Sequence, residues 1–133
     1  MSLIKSKKTT HKLITYDRGV RGELYARIFL ILKGYKILET RFKTPVGEID
    51  LIARQKNTVV FVEVKARYNH AKALESITPK MRGRIERAAS YYMARHRKVS
   101  DCDMRFDLIA LRPFSIKSPF FITHLDNAWR PTA

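Results

Sequence analysis

Gly47-Glu48-Ile49-Asp50-Leu51-Ile52-Ala53-Arg54, a short turn at Gln55-Lys56-Asn57, and then Thr58-Val59-Val60-Phe61-Val62-Glu63-Val64-Lys65-Ala66-Arg67 form the stretch on which the fold turns. Both arms read as strands, Val46 to Arg54 and Thr58 to Arg67, the second rich in Val and Phe as a central strand is. The turn between them is short enough to close a hairpin. Strand side chains alternate in direction. Glu48, Asp50 and Ile52 therefore share one face, and Ile49, Leu51 and Ala53 the other. Glu63, Lys65 and Arg67 share a face of the second arm.

Strand interiors are poor in Asp and Glu, so these acids need a reason. If the hairpin pairs with the two acidic faces aligned, two or three carboxylates and a lysine converge. That set suits phosphodiester hydrolysis. A divalent ion neutralises charge on the phosphate and activates water. Hard ions such as Mg²⁺ take one or two carboxylates, with water and substrate phosphate completing the shell. A nearby lysine orients or deprotonates the water and stabilises the developing charge. The plainer alternative is a cross-strand ion pair joining Asp50 or Glu63 to Lys65 or Arg67, worth about 0.2–1 kcal/mol.

Outward from the hairpin, the chain reads as one domain, 18–133, after a basic and flexible segment, 1–17. A helix is expected from Gly19 to Lys33, with Leu24, Ile28, Ile31 and Leu32 at helical spacing and Gly34 as its C-terminal cap. Tyr35 to Phe42 is a first strand. Tyr68 to Ile77 reads as a loop. Thr78-Pro79 opens a long helix, Thr78 as N-cap and Pro79 at the first helical position. Met81, Ile85, Ala88, Ala89 and Tyr92 mark its buried face, and the other face is arginine-rich. Met104 to Arg112 and Phe120 to Leu125 are two further strands, with a short tail through Trp129. The order points to an α/β fold, a mixed sheet flanked by helices.

Charge narrows the partner. The chain of 133 residues carries 27 Lys and Arg against 12 Asp and Glu, a net charge of +15. A compact fold repels itself at such a charge, and nucleic acid rewards Lys and Arg by releasing counterions. Arg67, Lys80, Arg82 and Arg84 are the candidates for phosphate contact, or else solvated surface charges. No basic amphipathic helix offers a Trp- or Phe-rich face to a membrane, and no apolar run reaches about 18 residues. The single cysteine, Cys102, excludes an internal disulfide and a Cys-rich zinc site. No signal peptide is read, so a cytoplasmic location is expected. Asp107, on a later strand, is expected to be structural, paired with Arg105 or an arginine of the long helix.

Gly47-Glu48-Ile49-Asp50-Leu51-Ile52-Ala53 and Val60-Phe61-Val62-Glu63-Val64-Lys65-Ala66-Arg67 closely resemble the YraN family. Arg21-Gly22-Glu23-Leu24-Tyr25-Ala26 resembles its first-helix motif, Lys80 and the arginines that follow its middle segment, Arg105-Phe106-Asp107 its later strand, and Asn127-Ala128-Trp129 its end. The family is usually described as predicted endonucleases related to archaeal Holliday junction resolvases, within the PD-(D/E)XK nuclease superfamily. The resemblance implies a restriction-endonuclease-like mixed sheet with helices on both sides. It implies an Mg²⁺- or Mn²⁺-dependent endonuclease, with branched DNA as the substrate by analogy and DNA preferred to RNA. It makes Asp50, Glu63 and the backbone carbonyl of Val64 the metal ligands and Lys65 the catalytic lysine. Glu23 becomes an accessory carboxylate and Glu48 an assisting one. Glu23 has a second reading, a helical ion pair with Arg27. No Pro directly precedes Asp50, Pro45 lying further back. A four-way junction is two-fold symmetric, so a resolvase-like enzyme is expected to be a homodimer. The rival function is a nucleic-acid-binding module without catalysis.

Overall fold

The structure is a computed structural model that describes residues 22–66, 70–112 and 122–131. Its elements are α1 (22–32), β1 (Lys36–Thr44), β2 (Gly47–Gln55), β3 (Thr58–Ala66), α2 (His70–Glu75), α3 (Pro79–Arg95), a short 3₁₀ turn (Arg97–Val99), β4 (Asp103–Leu111) and β5 (Ile122–Trp129). The strands form one sheet in the order β1-β2-β3-β4-β5, antiparallel throughout except for the parallel β3–β4 pair. A parallel neighbour requires a crossover, and α2 with α3 supplies it.

Helices cover both faces, giving the expected restriction-endonuclease-like α/β architecture. On one face Ile85, Ala88, Ala89 and Tyr92 of α3 pack on Ile52, Phe61, Phe106 and Leu108. On the other, Ala26 and Leu30 of α1 pack on Leu51, Val60, Val62 and Ile109. Among the described residues no helix is long and apolar enough to cross a membrane.

The caps act as their residue types dictate. Thr78 accepts the N–H of Met81, and Pro79 follows it. Gly34, at φ +92°, closes α1: its N–H reaches Ile31 O, and the Tyr35 N–H reaches Leu30 O at 2.9 Å.

Four expectations are corrected. Leu24, Ile28, Ile31 and Leu32 do not face the core; Leu32 is 82% exposed. The helix carries a second apolar stripe through Ala26 and Leu30, and small residues decide between the two. A Cβ on Gly22 would lie 2.9 Å from a Leu111 methyl, so Gly22 and Ala26 let α1 settle closely on the sheet. His70–Glu75, within the expected loop, is a short helix whose Ala73 is buried. The last strand runs on to Trp129 instead of ending at Leu125, because Trp129 pairs with Phe106 and stacks on its ring. Strict alternation fails at Ile49, which joins the same core cluster as Ile52. There β2 runs close against α3: a Cβ on Gly47 would lie 2.5 Å from the Arg84 carbonyl oxygen. The segment 1–17, Arg67 and Phe120 lie outside the described residues.

Candidate active site

The β2–β3 ladder runs from Gln55↔Thr58 to Leu51↔Val62 and stops. The next rung would set Asp50 against Glu63. Instead the strands part, and the Asp50 carboxylate takes the place of a backbone acceptor, receiving the Val64 N–H at 2.8 Å on Oδ2. The N–H and C=O of one strand residue point to the same edge, so the Val64 carbonyl also faces this split.

Asp50 and Glu63 open into a cleft of about 530 Å³. Glu48 and Gly47 of β2 line it from the sheet, and Met81, Arg84 and Ile85 of α3 from above. The short hairpin therefore aligns the acidic faces of its arms, and α3 roofs them with an exposed arginine.

Its electrostatics are those of a site short of positive charge. Burial pushes the Asp50 carboxyl up, and the Glu23 charge adds to the rise. Burial, then repulsion from Asp50, pushes Glu63 up to about 7. The Lys65 ammonium, 3.4 Å from Glu63 Oε1, offsets only part of this. Two carboxylates this close resist ionising together.

Glu23 approaches the site from α1. Its partner is Arg41, whose Nε donates to Glu23 Oε2 at 2.6 Å. Arg41 stands beside Asp50 in register on β1, in the left-handed region at φ +50°. Nothing in the spacing of the sequence marks it; the one local sign is this conformation, rare outside glycine. Glu48 is exposed at the rim. Among the phosphate candidates, Arg84 lines the cleft and Lys80 is exposed in the first turn of α3. Arg82 turns away: its guanidinium lies 5.6 Å from the Trp129 ring centroid, and its buried Nε has no hydrogen-bond partner among the described residues. Also among the described residues, no group of three or more His, Cys, Asp and Glu is arranged to hold a metal. A cation here would rest on two carboxylates and the Val64 carbonyl. The donors suit such a hard ion: all are oxygens, and both acids are raised by burial and by repulsion from neighbouring carboxylates, which a cation would relieve.

The model of the uncharacterised protein family UPF0102 matches residues 22–111, a span that contains this whole site. The chain belongs to the UPF0102 family. A UPF0102 protein of Parvibaculum lavamentivorans is 40% identical over 119 residues, covering 90% of this chain and 86% of that protein. One of Mesorhizobium japonicum is 45% identical over 114 residues, 86% and 87% of the two chains. One of Maricaulis maris is 46% identical over 96 residues, 72% and 76% of the two.

The UPF0102 domain has a second acidic centre, on the α1 face. Asp107 is fully buried. Arg105 donates to both its oxygens, Nε at 2.8 Å and Nη2 at 2.9 Å, and also reaches the Tyr35 hydroxyl at 2.6 Å. The pairing with Arg105 is the expected one. The other partners come from distant sequence. Asn127, at φ +51° where the β4–β5 register shifts, turns its N–H onto Oδ1 at 2.9 Å. His124 Nε2 lies 2.7 Å from Oδ2, and Lys33 Nζ 2.6 Å from His124 Nδ1. An ammonium only donates, so Nδ1 accepts and Nε2 carries the proton given to Asp107.

Proposed function

We propose that this UPF0102 protein is a divalent-metal-dependent endonuclease that hydrolyses phosphodiester bonds in nucleic acid, DNA before RNA. The observation that carries the reading is the parting of β2 from β3 at Asp50 and Glu63, which opens two under-compensated carboxylates, with Lys65 beside Glu63, into a cleft. Mg²⁺ or Mn²⁺, held by Asp50, Glu63 and the Val64 carbonyl, would supply positive charge to the phosphate and acidify water.

The chain's own groups do the rest. Lys65 stands at the acidic pair and either orients the attacking water or takes its proton. Once protonated, its charge also meets the negative charge that grows on the phosphoryl oxygens. Arg84, from the roof, holds a neighbouring phosphate. Arg41 pairs with Glu23 and offsets part of the charge that α1 brings to the site. Water attacks phosphorus as the P–O3′ bond breaks, leaving a 5′-phosphate and a 3′-hydroxyl. Branched DNA and a homodimer follow from the resolvase analogy.

The test is a panel of four-way junction, flap, single strand, and duplex DNA and RNA, in Mg²⁺ and in Mn²⁺. Wild type is run beside Asp50→Ala and Lys65→Ala. Loss of at least ~10²-fold in both variants is expected, the usual size of a general acid–base contribution. Equal cutting by all three proteins overturns the reading. A binding module without catalysis is favoured by one observation, the lack of a third ligating side chain among the described residues. Calorimetry with Mn²⁺ separates the two: saturable binding that Glu63→Gln removes belongs to the enzyme, and none to the module.

A further inference from the structure

A second groove adjoins the active-site cleft. Val46, in the β1–β2 turn, lines both. The groove, of about 590 Å³, runs along the outer side of α3 past Arg87, Ser90 and Tyr91. Arg84, Arg87, Tyr91 and Arg95 are spaced three, four and four residues apart, so they lie along one helical face. That face leads from the cleft, where Arg84 sits, out to Arg95, roughly 16 Å along the axis.

The far end carries more than charge. The Arg95 guanidinium carbon lies 3.4 Å from the Tyr91 ring centroid, which is stacking distance, and Nη1 donates to the Tyr91 carbonyl at 3.4 Å. Phe42 supports the same ring, its centroid 6.4 Å away. Tyr91 has Phe42 beside it, and exposed Arg95 is held over its ring. A guanidinium plane so held is a platform for an unstacked base. A base inside a duplex is not available to it. Glu86 also lines the groove, and its charge keeps phosphates on the arginine side.

We infer that this groove is the track for a single-stranded segment of the nucleic acid whose scissile phosphate sits at Asp50 and Glu63, with Arg84 and Arg87 on successive phosphates and the Tyr91–Arg95 stack under a base. The inference rests on the nuclease reading, and it names the form of the substrate: a strand that leaves the cleft unpaired.

The test is fluorescence anisotropy of the full chain with a labelled twelve-nucleotide oligothymidylate and a twelve-base-pair duplex, in EDTA so that nothing is cut. Arg95→Lys keeps the charge and loses the plane. Lys56→Ala removes one positive charge at the β2–β3 turn, away from the groove. Arg95→Lys is expected to weaken single-strand binding roughly tenfold, as the loss of one stacked base does, and to leave duplex binding unchanged. Tyr91→Ala should act alike, and Lys56→Ala should move both ligands equally and little. Overturning results are an Arg95→Lys loss no larger than that of Lys56→Ala, or one equal for duplex and single strand. Lys65→Ala separates this inference from the enzyme reading. It should cut nothing in Mg²⁺, and Arg95→Lys added to it should still weaken single-strand binding and spare duplex binding. Should wild type also cut nothing, the nuclease falls and the anisotropy still decides the track.

Discussion

The sheet carries two acidic centres, and burial treats them alike while hydrogen bonding does not. Asp107, on β4, stands level with Val62 on β3, one residue from Glu63. Burial alone would raise its pKa, but the hydrogen bonds from His124, Arg105 and Asn127 outweigh it and hold the carboxyl below its ordinary value. Asp50 receives one backbone N–H, and Glu63 is offered little beyond a single ammonium. Burial therefore wins at both, and both are raised. An acid whose oxygens are all answered from within the fold is a structural part. An acid left short of donors keeps the capacity to bind something else.

The contrast breaks first, and by the largest margin, at Asp107. Asp107→Ala leaves the Arg105 guanidinium, the Asn127 N–H and His124 Nε2 without their acceptor in a buried place. A loss of about 3–5 kcal/mol is expected, read as a lower urea midpoint with an unchanged m-value. A loss below about 1 kcal/mol would make the network ornamental and the comparison empty.

Acid titration gives the next effect, of opposite sign at the two centres. Folded Glu63 holds its proton up to about 7 against an ordinary 4.5, so between those values the folded protein binds more protons than the unfolded one. Stability then falls as pH rises through that window, by on the order of 1–3 kcal/mol for this group. Asp107 is lowered, so its contribution is present above its ordinary 3.8 and is lost as pH falls below it. The readout is urea unfolding at pH 5 and pH 7.5 in EDTA, wild type against Glu63→Gln. The variant should lose less stability over the interval. Parallel profiles would mean that Glu63 ionises as freely in the fold as outside it.

What the sequence made legible follows from range. The hairpin could be read because alternation and an out-of-place acid are local facts, and its short turn fixes which faces meet. Thr78-Pro79 and Gly34 could be read because a cap is a rule about three or four neighbouring residues. The seat of α1 could not. Its two apolar stripes are equally regular, and the choice lies with how closely Gly22 approaches Leu111. Nor could the full Asp107 network: Tyr35 and His124 are 72 and 17 residues away in the chain, and the Asn127 N–H is freed only by a shift in strand register. The Glu23–Arg41 pair was hidden for the same reason, since a left-handed backbone at Arg41 leaves no mark in the spacing.

The smallest effect is the sharpest test, because it is expected to be near zero. Asp50→Asn keeps an oxygen for the Val64 N–H and removes a charge that Glu63 and Glu23 both oppose. In EDTA its stability should match wild type within about 0.5 kcal/mol, or exceed it, whereas a paired buried acid costs several. Added Mn²⁺ should then separate the two proteins: wild type gains about 2.7 kcal/mol at a hundredfold excess over its dissociation constant, and the variant gains little. A variant that is several kcal/mol less stable in EDTA would place Asp50 with Asp107, as an acid the fold needs for itself. A variant of unchanged stability that Mn²⁺ no longer stabilises would mean that the open ladder at Asp50 and Glu63 is kept at a cost to the apo protein, and that its compensation comes from outside the chain.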